Sequence, residues 1–438
     1  MKAKRLLVCF LALALLLTMT AFVFAGGKQE AKKGAVKLTV WINGSDSYIG
    51  PEEQKLPQDQ WYISQAFKRF EEANPGVTIE LSVPPDQEGA HQSFKAAGLA
   101  GTAPDIANLW TGQATFNLKD VILPLDDLVS SEDLKNIWGW DSVRLDFKAD
   151  GAIMGYPASQ NQICFLLYNK SIVKKAGMNW DTSPPRDFAS SDGSLRKIKA
   201  LGVDPIVVDE AFPWFFAWIG DYWWAQVTGS DGILAASRGQ KEFSKDKGLL
   251  DALAYYRSLY KNGFFNQDMG TSADSWNRFL QGQGAMTPVV TSFLSDGERA
   301  LGADAGVLMP PDISSSATIT NSTIGGPGQC LVVAKNTKHP EMAVKLISFL
   351  NSKAENMRAQ KIQQVPPVRV DLSVSELGYK AGSNIAFLYE NYAKNYIYWP
   401  DNLLAPGVAE VFYRQTPLVA LGKMTAQELA AEMDKAAK

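Results

Sequence analysis

The sequence predicts an α/β protein built in two parts. Between residues 36 and 110, strand-like and helix-like segments alternate in the order β-α-β-α-β, which calls for a parallel sheet covered by helices. A second α/β stretch follows from residue 156 onward, and 438 residues are more than a single core usually holds. With 46% hydrophobic and 20% charged residues, the chain has the composition of a folded globular protein.

Each element has a local reason. VKLTVWI (36–42) alternates apolar and polar residues, as a half-buried strand does. QWYISQAFKRFEEAN (60–74) places apolar residues at helical spacing, and Asn74-Pro75-Gly76 stops it. VTIELSV (77–83) is a strand, HQSFKAAGLAG (91–101) a helix and PDIANLW (104–110) a strand. YPASQNQICFLLYNK (156–170) begins as a loop and becomes a strand; a helix around 194–201 and the strand DPIVV (204–208) follow. DKGLLDALAYYRSLYKNG (246–263) is amphipathic and ends on a glycine cap. WNRFLQGQGAMTPVV (276–290) reads as helix, turn and strand, GQCLVVAK (328–335) as a strand, and HPEMAVKLISFLNS (339–352) as a helix. The last helix opens with Thr425 and an acidic residue three positions on, a capping box.

The N-terminus is of another kind. Lys2, Lys4 and Arg5 precede an apolar run ending Val23-Phe24-Ala25, the pattern of a secretory leader cut after Ala25, with an uncleaved anchor as the alternative. Cys9 lies deep in the apolar run, so no lipidation site is expected, and residues 26–35 read as a flexible tether. Without the leader, 40 cations stand against 46 acids. That mild acidity argues against nucleic acid, which needs basic stripes. Cys164 and Cys330 each sit in an apolar strand-like run and read as buried thiols.

The run PWFFAWIGDYWWAQ (213–226) holds seven aromatic rings in the eleven positions Trp214 to Trp224. It is too short to span a bilayer, which takes about 20 apolar residues. On a helix, Trp214, Trp218 and Tyr222 fall on one stripe and Phe215, Ile219 and Trp223 on the next. One stripe can pack on a sheet while the other faces a cleft, or all the rings are core.

Five segments together resemble a known family. FKRFEEANPGVTIEL, AAGLAGTAPDIANL, DGAIMGYPASQNQICFLLYNKSIVKKAGM, FLQGQGAMTPVV and HPEMAVKLISFL occur in the order found in bacterial extracellular solute-binding proteins of ABC importers, in the carbohydrate-binding, maltose-binding type. The resemblance covers roughly residues 36–352. It implies a two-lobed clamp, each lobe a mixed sheet flanked by helices, closing by a hinge over a ligand. Lobe 1 would hold 36–161 and 331–385, lobe 2 162–330 and 386–438. It makes QICFLLYNK and GQCLVVAK the strands that cross the hinge, which would bring Cys164 and Cys330 near each other and allow a disulfide. It implies no catalysis and no cofactor or metal. The partners it implies are a carbohydrate and a separate membrane permease, for a monomer in the periplasm.

Sugars offer hydroxyls to planar hydrogen-bonding side chains and C–H faces to aromatic platforms. The 12 tryptophans all lie beyond the leader. From the aromatic helix the candidates are Trp214 and Trp218, with Asp209 and Glu210 just before it. Strand ends, where open α/β sheets bind ligands, supply Trp41, Asn43, Ser45, Asp46 and Trp110, and after later strands Ser292, Gly325 and Gly326. Ser159, Gln160 and Asn161 lie at the first crossover, Trp276 at a helix start, and Trp399 and Asp401 in the loop YIYWPDNLL. For the polar ones the plain alternative is turn chemistry or capping.

Other chemistries find little support. His91 and His339 have no metal-ligand partner at useful spacing, and Ser171-Ile172-Val173-Lys174 lacks its companion motifs. No nucleophile elbow or phosphate loop occurs. Carboxylate pairs such as Asp126-Asp127 or Asp209-Glu210 could in principle serve the alternative of a secreted glycoside hydrolase, though acids this common need no such role. A second alternative is the same clamp for a polyamine, a peptide or glycerol phosphate.

Overall fold

The computed structural model describes residues 35–42, 48–49, 53–84, 89–158, 160–209, 214–272, 274–315 and 317–438. The leader, all but the last residue of the tether, and the candidates Asn43, Ser45, Asp46, Ser159 and Glu210 lie outside the described residues.

Eleven strands are described, in chain order β1 (Val36–Trp41), β2 (Val77–Ser82), β3 (Ile106–Trp110), β4 (Tyr156–Pro157), β5 (Gln162–Asn169), β6 (Asp204–Ile206), β7 (Gly284–Val290), β8 (Ala305–Leu308), β9 (Ile324–Gly326), β10 (Gln329–Val333) and β11 (Ile397–Tyr398). They form two sheets. The first has the order β2-β1-β3-β10-β4, the second β11-β9-β5-β7-β6 with β8 also on β5. The strands β1, β2 and β3 run parallel, as the β-α-β-α-β reading requires. β10 is antiparallel to β3, because the chain re-enters the first sheet after building the second. No local pattern encodes that return.

Each sheet has its own core. Leu38, Ile106, Leu331 and Ile347 belong to the core of the first sheet. Leu166, Trp224, Leu253 and Phe412 belong to that of the second. Phe165 and Leu167 alternate with Leu166 along β5 and so face its other side, where Leu372, Leu377 and Ile385 cover them. The molecule is therefore α/β with two lobes. The segment 372–385, expected with the first lobe, packs on the second. Gln329 and Cys330, expected with the second lobe, pair with Trp110 and Leu109 in the first.

β5 and β10 each stay within one sheet, so the crossings fall just before them, between β4 and β5 and at 327–328, with a third near Asp371. The first and third crossings touch: Gln160 bridges Pro367, and the Asn161 amide donates to the Pro366 carbonyl at 2.7 Å. Cys164 and Cys330 lie in different sheets, both buried as free thiols. Burial pushes the Cys330 thiol up to about 12. Among the described residues no helix is long and apolar enough to cross a membrane.

The aromatic run is helical but not regular. Phe216–Gly220 is a π-helical turn feeding the helix Asp221–Ser237. Gly220 permits it, since a Cβ there would lie 2.3 Å from the Phe216 ring. The wider turn breaks the expected stripe. Trp214 and Trp218 remain half-buried, whereas Tyr222 is wholly buried and donates to Asp312 Oδ1 at 2.7 Å.

Candidate functional site

Between the sheets lies a cleft with two adjoining compartments, an inner one of about 180 Å³ and an outer one of about 830 Å³. Four indoles line the inner space: Trp110, Trp214, Trp218 and Trp399. Trp110 ends β3 on the first lobe and meets Trp214 of the second edge-on, centroids 6.1 Å apart at 86°. Trp214 is braced in turn by Tyr413, at 5.2 Å and 72°. Trp218 packs against Phe215 and Phe293. Trp399 donates its Nε1–H to the Gly326 carbonyl at 3.2 Å.

Behind the rings runs a relay of side-chain amides. Gln160 donates to Gln363 Oε1 at 3.0 Å, and Gln162 donates to Gln160 Oε1 at 3.1 Å. Gln162 Oε1 accepts from Thr291 Oγ1 and from the Ser292 amide. Both glutamines thus hold fixed orientations at the crossover, and each primary amide carries two N–H donors of which one is used here.

Asp401 closes one side of both compartments. Its Oδ2 accepts from the Tyr413 hydroxyl at 2.6 Å and its Oδ1 from the Asn402 amide at 3.1 Å. Burial pushes its carboxyl up to about 6, against which the Tyr413 bond works. Asp221 lies near it, wholly buried, and neither of its oxygens has a hydrogen-bond partner among the described residues. Burial first, and the neighbouring Asp401 second, hold its carboxyl well above the usual range.

His91 stands in the outer compartment. Its Nε2 accepts from the Trp110 amide at 2.9 Å, and its ring lies 5.1 Å from the indole. Burial lowers it to about 4, so at neutral pH the ring is uncharged and carries its proton on Nδ1. Across the lobes, Thr111 and Tyr398 hydroxyls meet at 2.7 Å. Gly112 has φ 71° and ψ −143°, and a Cβ on it would lie 2.5 Å from the Asn402 carbonyl. The lobes touch there with no room to spare.

Of the described sequence candidates, Trp110, Gln160, Trp214, Trp218, Trp399 and Asp401 converge on the inner compartment. Ser292 stands behind Gln162, and Gly326 holds Trp399. The rest belong to the scaffold. A Cβ on Gly325 would lie 2.5 Å from the Gln162 carbonyl, so that glycine serves the approach of β9 to β5 and not of a ligand. Trp41 packs edge-on against Phe94. Asn161 donates to the Ala393 carbonyl at 2.6 Å. Asp209 accepts from Ser275 Oγ and its amide, at the start of the helix Ser275–Leu280. Trp276 stacks on Phe279.

Sequence reasoning missed Gln162, Gln329, Asn402 and Tyr413. It also missed the helix Pro406–Leu421, which walls the outer compartment. Pro406 at its first turn and Gly422 as its left-handed cap were the available signals. Among the described residues no group of three or more His, Cys, Asp or Glu is placed to hold a metal.

Residues 65–381 match the family model described as bacterial extracellular solute-binding protein. The arabinooligosaccharide-binding protein of Bacillus subtilis is 23% identical over 398 residues, covering 84% of this chain and 82% of its own. The sn-glycerol-3-phosphate-binding periplasmic protein of Yersinia enterocolitica is 26% identical over 288 residues, 62% of this chain and 63% of its own. Among solved structures, a chitin oligosaccharide binding protein superposes with a TM-score of 0.76 at 18% identity, covering 92% of this chain and 98% of its own.

Proposed function

This chain belongs to the bacterial extracellular solute-binding proteins, and from that membership we propose that it captures a neutral carbohydrate in the cleft between its lobes. The family consists of binding components of transporters, not enzymes. The observation that carries the sugar reading is the lining of the inner compartment. Four indoles, three glutamines, an asparagine and one buried acid meet there, and no Lys, Arg or His is among the described residues that line it. A phosphate-bearing solute needs a cation or a helix N-terminus aimed at it. Asp401 would instead repel it. Hydroxyls and C–H faces match what is there.

The mechanism is capture without chemistry. The ligand touches Trp110 from one lobe and Trp214, Trp218 and Asp401 from the other, so it binds best when the lobes are closed. It draws the population toward that state in proportion to this difference in affinity. The three crossing segments act as the hinge. The closed form then docks on a separate permease, in the periplasm, after export and removal of the leader.

A thermal-shift screen tests the reading. A neutral mono- or oligosaccharide at 100 times its dissociation constant stabilises the protein by about 2.7 kcal/mol. If glycerol phosphate or a polyamine shifts the melt and no neutral sugar does, the reading fails.

A further inference from the structure

We infer that the ligand is an oligosaccharide of three or more rings: one end sits in the inner compartment and the remaining units lie along the helix Pro406–Leu421. This rests on the carbohydrate reading of the cleft. The two compartments share Trp110, Trp214, Asp401, Asn402 and Tyr413, so they adjoin at these side chains, with the edge-on Trp110–Trp214 pair between the lobes. The inner space is the smaller by far, about 180 Å³ against about 830 Å³. A ligand confined to it would leave most of the cleft to water.

The outer space is long. Pro406, Ala409, Tyr413, Pro417 and Leu421 line it at steps of three and four, one face of the helix from its first turn to its last. At 1.5 Å per residue that stripe runs about 22 Å, several times the width of one six-membered sugar ring. The stripe is apolar and suits C–H faces. Its edges are polar, with Glu410 and Arg414 paired at 2.9 Å on one side. His91, Lys95 and Asn117 of the first lobe stand on the other. Both lobes therefore wall the groove, and a longer ligand bridges them at more points than a single ring can.

The test is calorimetric titration of the full chain with mono-, di-, tri- and tetrasaccharides of the glucose, xylose, arabinose and N-acetylglucosamine series. In the series that binds, the trisaccharide should bind at least about tenfold tighter than the monosaccharide. Ala409→Trp fills the groove. It should bring the trisaccharide down to the affinity of the monosaccharide and leave the monosaccharide unchanged. Arg414→Ala, at the exposed edge, should weaken the tri- and tetrasaccharide only. A monosaccharide that binds as tightly as its trisaccharide overturns the inference and leaves the sugar reading standing. If no sugar in any series binds, both fall. Should Ala409→Trp fail to fold, the wild-type length series still decides.

Discussion

Asp221→Asn should stabilise the protein, and by more at higher pH. Asp221 is wholly buried, neither oxygen has a partner among the described residues, and Asp401 is its close neighbour. The Asp401 amide offsets a little of the cost of charge, though outside ordinary hydrogen-bond geometry. The folded carboxyl is thus held well above the usual value of 3.8 and keeps its proton, while the unfolded chain has already released it. The folded state binds more protons, so stability falls as pH rises above the unfolded value, at about 1.4 kcal/mol per unit. Below that value the penalty is absent. Asparagine has nearly the same shape and does not titrate. Its advantage should therefore grow as pH rises from 5 to 7, by no more than about 1.4 kcal/mol per pH unit. Urea denaturation of both proteins without ligand, at pH 5, 6 and 7, measures this. A difference that does not change with pH would mean that Asp221 is ionised in the fold, and the reasoning about the buried pair would be wrong.

Trp110→Ala and Trp214→Ala should each weaken the bound sugar by about 2 kcal/mol, near thirtyfold, in calorimetric titration, since central aromatic anchors carry costs of that order. Gly112→Val should destabilise the protein by about 2 kcal/mol or more, because its backbone region is nearly closed to residues with a Cβ and the Asn402 carbonyl occupies the space; thermal melting shows it. His91 should titrate by NMR near 4, and stability should drop as pH is lowered from 6.5 toward that value, because the folded ring resists the proton that the unfolded one accepts. An ordinary midpoint near 6.5 would contradict the burial of the His91 ring.

Much of the fold was legible because it is local. The alternation of VKLTVWI and the helical spacing of 60–74 set β1 and the helix Tyr62–Ala73 within a residue or two. The antiparallel entry of β10 was not legible from periodicity, since it depends on where the chain has been. The site divides in the same way. Trp110 was found because it closes an apolar run at a strand end, and Trp399 because an aromatic-rich loop, YIYWPDNLL, carries it. Trp214 and Trp218 were found as a stripe, but the π-turn that separates them from Tyr222 depends on Gly220 and the Phe216 ring. Gln162 and Gln329 open strands that read as ordinary core, and only the crossing of the chain turns them toward the cleft. Asp209 shows the converse: a carboxylate at a strand end that serves a helix start.

The most direct measurement is a titration of neutral sugars followed by intrinsic tryptophan fluorescence, with the sugar recovered afterwards. Four indoles line the proposed site. The account predicts a saturable change with one sugar bound per chain, lost in Trp110→Ala/Trp214→Ala, and the sugar recovered intact. A binding curve untouched by that double substitution, or a sugar returned in cleaved form, would contradict it.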